Sequence, residues 1–151
     1  MPGLLAVEKM DLFAYGTLMC ADIMRAVSGC PELAGHAGLL RDYCRLCVRG
    51  EHYPGLVSRP GASVAGIVYH AVPAEAWARL DRFEGDMYVR AGVDVELADT
   101  TIQRAQTYLV RPGLSSLLED RVWKLEDFLR HGKADFESAY AGYAAIETPS
   151  G

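Results

Sequence analysis

The 151-residue sequence predicts an α+β domain whose mixed or antiparallel sheet is curled into a small barrel. Three observations point there. Strand-like apolar stretches recur at residues 11–16, 34–40, 43–49, 55–59, 64–72, 88–97 and 102–110. Helical patterns are fewer, at 20–28, 73–84, 119–131 and 133–143, and lack the regular strand–helix alternation of a βαβ fold. Gly-Cys-Pro, Arg-Gly-Glu, Arg-Pro-Gly-Ala and Arg-Pro-Gly punctuate the chain between them.

In chain order, residues 1–9 read as a leader whose four-residue apolar run is too short for a signal sequence. The first strand runs into Gly16, after which Asp22 opens a helix. In the helix over 73–84, Glu84 lies seven positions beyond Trp77, within roughly 20° of it around the axis, with Leu80 on the same side. Gly85 ends that helix. The last helices carry Trp123, Phe128 and Leu129, then Phe136, Tyr140 and Tyr143 at i, i+4 and i+7, a stripe expected to pack against the sheet. Residues 144–151 read as a frayed tail, leaving a single domain over 10–143.

A chain of this length forms one domain that buries roughly 70% of its unfolded surface. The net charge of −5 and the lack of a dense basic run argue against nucleic acid as a partner. No apolar run approaches the length of a membrane span, so a cytoplasmic protein is expected, with no membrane partner. Cys44 and Cys47 spell C-x-x-C, but within a strand residues three apart face opposite sides and cannot readily share a metal. No metal site is therefore assigned, and Cys20, Cys30, Cys44 and Cys47 read as free thiols. A thiol-based redox role is disfavoured by the same geometry. The chain lacks asparagine, which removes a Cys-His-Asn site. It also lacks G-x-S-x-G and the usual nucleotide-binding loops.

Two segments carry chemistry. Phe13-Ala14-Tyr15-Gly16-Thr17-Leu18 is a strand entering a glycine turn, a shape that can aim several N–H groups at one anionic oxygen. Leu80-Asp81-Arg82-Phe83-Glu84-Gly85 ends an apolar helix face on a carboxylate. On that face burial would raise the Glu84 pKa toward neutrality, which suits a general base that later returns its proton. The alternative is a solvated glutamate at a helix end. Tyr53 lies in a loop between strands, and Tyr88 and Arg90 open the strand after Glu84, where they could close over a small anionic substrate.

Tyr15-Gly16-Thr17-Leu18, Tyr53-Pro54-Gly55-Leu56-Val57, Leu80–Gly85 and Tyr88-Val89-Arg90, in that order, resemble the γ-glutamylcyclotransferase-like superfamily, in particular its AIG2-like and γ-glutamylamine cyclotransferase branch. The resemblance runs from Asp11 to about Val110 and continues through Trp123 and Phe128. It implies a small mixed β-barrel with flanking helices and a cavity at its mouth. It further implies a catalytic Glu84, with Tyr15, Gly16, Thr17, Leu18, Tyr53, Tyr88 and Arg90 binding substrate. The implied reaction needs neither metal nor cofactor. The α-amine of a small γ-glutamyl amine or γ-glutamyl amino acid attacks its own γ-carbonyl, releasing 5-oxoproline and an amine. Thr17, where the glutathione-specific branch usually has serine, points away from glutathione. The competing expectation is a non-catalytic module that holds a small metabolite or a peptide end in the same cavity.

Overall fold

A computed structural model describes residues 10–139; the leader, the tail, Tyr140 and Tyr143 lie outside the described residues. Among the described residues there are six strands: β1 Met10–Ala14, β2 Gly35–Val48, β3 Pro54–Val72, β4 Tyr88–Leu97, β5 Ile102–Val110 and β6 Leu118–Val122. Helix α1 spans Ala21–Ser28 and α2 spans Ala74–Glu84. The chain closes with a helical turn at Leu125–Asp127, a π-helical stretch at Phe128–Gly132 and helix α3 at Lys133–Ala139.

Strands β3, β1, β5, β4 and β2 follow one another around a ring that β2 closes by pairing with β3. The barrel is therefore five-stranded and closed, with β6 added to β2 on its outside. It is mixed, because β1 runs parallel to β5 while its other pairs are antiparallel. Closure removes the free edges that an open sheet would present.

Two apolar clusters follow from strand alternation. Phe13, Leu40, Val64, Val68, Val95 and Ala105 come from all five barrel strands and fill the interior. Leu12, Ile23, Val27, Val72, Trp77, Leu80 and Phe128 form the second cluster, between the outer face of the barrel and the helices. Gly38 is an interior position, where a Cβ would stand 2.6 Å from Val95.

Sequence and structure differ in three places. The breaks expected at 41–42 and 60–63 do not end strands. Both fall at one irregularity where β2 and β3 stay paired on either side, with Arg41 opposite Ser63 and Tyr43 opposite Ser58. Asp42 takes positive φ there and accepts a hydrogen bond from the Gly61 N–H at 2.9 Å. The helix expected over 119–131 starts later: Leu118–Val122 is strand β6, because β2 offers it an edge, and helix begins only at Leu125. Asp22 sits inside the first turn of α1 rather than at its cap, which is Cys20.

Candidate active site

One cavity gathers most of the residues singled out in the sequence. Strand β1 ends at Ala14, and Tyr15 and Gly16 lead into a 3₁₀ turn at Thr17–Met19. Tyr15, Gly16, Thr17 and Leu18 line the cavity, together with Tyr53, Glu84 and Tyr88. Arg90 does not: its Nη2 pairs with Asp81 Oδ2 at 3.2 Å and its guanidinium lies over the Trp77 ring, and it lines an adjoining groove that shares Tyr88 and Tyr108 with the cavity.

Glu84 is the last residue of α2. Its position follows from the helix face, since Ala76, Trp77 and Leu80 are buried and carry the stripe into the core. Gly85 then stops the helix at φ 81°, its N–H donating to the Asp81 carbonyl at 3.1 Å. The Glu84 side chain keeps some exposed surface and faces the cavity. Among the described residues it has neither a hydrogen bond nor an ion pair. Burial pushes its pKa up to about 8, and the neighbouring Asp81 carboxylate adds to the rise. A carboxyl placed this way is a strong base for its type and, once protonated, a usable acid near neutral pH.

The Tyr15–Leu18 loop is held from behind. The Tyr69 hydroxyl donates to the Leu18 carbonyl at 2.7 Å, and the Tyr15 hydroxyl donates to the Tyr108 carbonyl at 2.6 Å. The N–H groups of Gly16, Thr17 and Leu18 donate to no partner among the described residues, as the first donors of a helical turn do. Gly16 has φ −130°, so positive φ is not its reason for being glycine. The reason is space: a Cβ would stand 2.8 Å from both Cγ and Cδ of Pro54. Pro54 is fixed in turn, because its carbonyl accepts from the Tyr88 hydroxyl at 2.7 Å.

Several wall residues were not read from the sequence as cavity residues. Tyr108 reaches the cavity because β5 lies beside β1, and its hydroxyl donates to Asp81 Oδ1 at 2.6 Å. Phe83, Met87 and Phe136 complete the apolar side. The Phe136 ring meets Phe83 and Phe128 edge-on, so this member of the expected aromatic stripe walls the cavity as well as packing. Burial and the Glu84 charge raise the Tyr15 pKa well above its usual value, which keeps that phenol neutral. Cys44 and Cys47 are both buried in β2, three residues apart in unbroken register opposite Val57 and Pro54, and so lie on opposite faces.

Comparison with known proteins agrees with this architecture. Residues 12–129 match the family described as gamma-glutamyl cyclotransferase, AIG2-like, and the chain belongs to that family. AIG2-like protein D of Arabidopsis thaliana is 30% identical over 133 residues, covering 87% of this chain and 79% of that protein. AIG2-like protein C of the same plant is 28% identical over 131 residues, covering 85% and 74%. Among solved structures, an Arabidopsis thaliana protein in solution superimposes with a TM-score of 0.68 at 20% identity, over 94% of this chain and 86% of that one. A gamma-glutamyl cyclotransferase superimposes with a TM-score of 0.60 at 21% identity, over 69% and 68%. These two likenesses establish the fold.

Proposed function

We propose that the protein is a γ-glutamyl cyclotransferase that converts a small γ-glutamyl amine or γ-glutamyl amino acid into 5-oxoproline and a free amine. The observation that carries this reading is Glu84, a carboxyl without a partner among the described residues, in a cavity it shares with a loop whose three N–H groups donate to none of those residues. A pure binding module has no need of so costly a group.

The chemistry follows from the residues. The substrate's α-ammonium cannot attack until it loses a proton, which the Glu84 carboxylate accepts. A carboxyl with a pKa of about 8 lies far closer to an α-amine in basicity than an ordinary carboxylate does, so this transfer costs less. The amine nitrogen then bonds to the γ-carbonyl carbon, and the carbonyl oxygen gains negative charge. N–H groups of Gly16, Thr17 and Leu18 stabilise that charge, by about 3 kcal/mol per well-placed donor. Collapse of the adduct breaks the bond to the leaving nitrogen, and Glu84 returns its proton there. The ring nitrogen, which still carries two hydrogens after the attack, gives its surplus proton to the freed Glu84 carboxylate. Glu84 passes it to the departing amine, so that 5-oxoproline leaves neutral at its ring nitrogen and the amine leaves as an ammonium. Both protons are conserved, and no water or further reactant enters. Because amine and carbonyl belong to one molecule, holding it folded supplies several kcal/mol of the acceleration. The apolar wall of Phe83, Met87 and Phe136 favours that curled form and excludes water.

The test is incubation of the protein with a panel of γ-glutamyl amines and γ-glutamyl amino acids, assayed for 5-oxoproline. Stoichiometric 5-oxoproline and amine are expected from at least one member. Saturable binding without product across the panel would favour the binding module.

A further inference from the structure

We propose that Arg45 is a positioning residue whose guanidinium clamps the Tyr15–Gly16 peptide so that the Gly16 N–H faces the cavity. Its catalytic consequence rests on the cyclotransferase reading above, whereas the clamp itself rests on geometry.

The β1–β3 ladder extends to Ala14 opposite Ile67. Past that pair one guanidinium nitrogen, Arg45 Nη1, bridges the two chains. It donates to the Tyr15 carbonyl at 2.7 Å and to the Ala65 carbonyl at 3.3 Å. Arg45 Nε donates to the Trp123 carbonyl at 3.2 Å, and the guanidinium lies 5.0 Å over the Trp123 ring. Met19 Sδ lies 3.7 Å from Nη1. Every one of these partners is neutral. A half-buried cation whose contacts are all to neutral groups, with the Glu126 carboxylate acting only through its field, is a costly way to fill space, and burial lowers its pKa. An apolar side chain would pack on Trp123 more cheaply. What a guanidinium adds is a rigid fork that fixes several carbonyls at set angles, which a lysine ammonium does not.

The fixed carbonyl matters because of peptide geometry. In a trans peptide the C=O and the following N–H point in opposite directions, and the described chain has no cis bonds. Fastening the Tyr15 oxygen to Arg45 therefore fixes the Gly16 N–H on the far side, within the Leu12–Leu18 stretch that lines the cavity. Glycine is the residue most able to rotate away, so this peptide is where a clamp has most effect.

The test measures N–H residual dipolar couplings, which report bond orientation, on ¹⁵N-labelled wild type, Arg45→Lys and Arg45→Ala. The Gly16 coupling is expected to change in both variants while those of the barrel strands stay. For a γ-glutamyl substrate, kcat should fall on the order of 10²-fold, as for loss of one oxyanion donor, with KM moving far less. Guanidinium chloride at non-denaturing concentration should restore part of kcat in Arg45→Ala and none in Arg45→Lys, where the lysine side chain occupies the space. An unchanged Gly16 coupling in a folded variant overturns the clamp. A changed coupling with kcat intact overturns its catalytic part. Failure of both variants to fold makes Arg45 a purely structural residue and overturns the proposal. If wild type itself releases no 5-oxoproline, the cyclotransferase reading falls and the coupling alone decides the clamp.

Discussion

Glu84 shows how one residue's surroundings set its chemistry. Cavity burial and the Asp81 carboxylate, itself held by Tyr108 and Arg90, both disfavour its charge. Two pH effects follow. With Glu84 as the proposed base and a pKa of about 8, kcat/KM for a γ-glutamyl substrate should climb about tenfold per pH unit up to that point, instead of levelling near 4.5 like an ordinary carboxylate. An acid limb at ordinary carboxylate pH would remove Glu84 from the role of base. The second effect is on stability. The folded carboxyl binds its proton more tightly than the unfolded one, so this residue makes folding stability fall as pH rises from about 4.5 to about 8 and adds no further slope above. Glu84→Gln escapes that loss. Its melting temperature should match wild type near pH 4 and exceed it above pH 8, by about 1–4 kcal/mol of stability. Equal melts at pH 9 would show that the wild-type carboxylate ionises without strain.

At the scale of elements, the glycine turn after β1 shows why spacing alone could not assign a cause. The turn was legible from Tyr15-Gly16-Thr17, but the contact that demands glycine comes from Pro54, 38 residues away in sequence (54 − 16). Gly16→Val should push the loop off the Pro54 ring, cost about 1–3 kcal/mol, and weaken turnover and 5-oxoproline binding together. Thr17→Ser should be tolerated, since in the proposed reaction the main chain is the source of the donors. A Gly16→Val protein that binds 5-oxoproline normally while folded would separate the loop from the cavity. Cys44 and Cys47 give the contrasting case. Replacing both with alanine should lower the melting temperature through lost packing yet leave turnover within about twofold, because neither lies at the cavity. A turnover loss well beyond that would tie one thiol to the chemistry. Strands β4 and β5 coincide with their sequence-predicted spans, since alternation and Gly/Pro punctuation are local signals. Strand β6 was not legible: Glu119, Asp120 and Arg121 interrupt its apolar residues, and only the edge of β2 makes it a strand.

For the whole molecule, barrel closure assembles what the sequence separates. Parallel pairing of β1 with β5 brings Tyr108 beside the loop, and α2 carries Glu84 across the mouth. The C-terminal segment places Phe136 as a wall, with Lys133 Nζ tied to Asp22 Oδ2 of α1 at 2.8 Å. Local periodicity put Phe136 on a packing stripe but says nothing of which distant elements meet, which is why Tyr15–Leu18 and Glu84 could be read from their motifs as cavity residues and Tyr108, Phe136 and Arg45 could not. Arg90 shows the converse, a residue adjacent to the motif in sequence whose side chain is taken up by Asp81 and Trp77 outside the cavity. The most direct measurement is 5-oxoproline release by wild type and Glu84→Gln side by side, on the best substrate of the panel, with both proteins shown to be folded. A general base at Glu84 predicts a loss on the order of 10²–10⁴-fold in the variant. A folded variant that keeps more than about a tenth of the wild-type rate would contradict it.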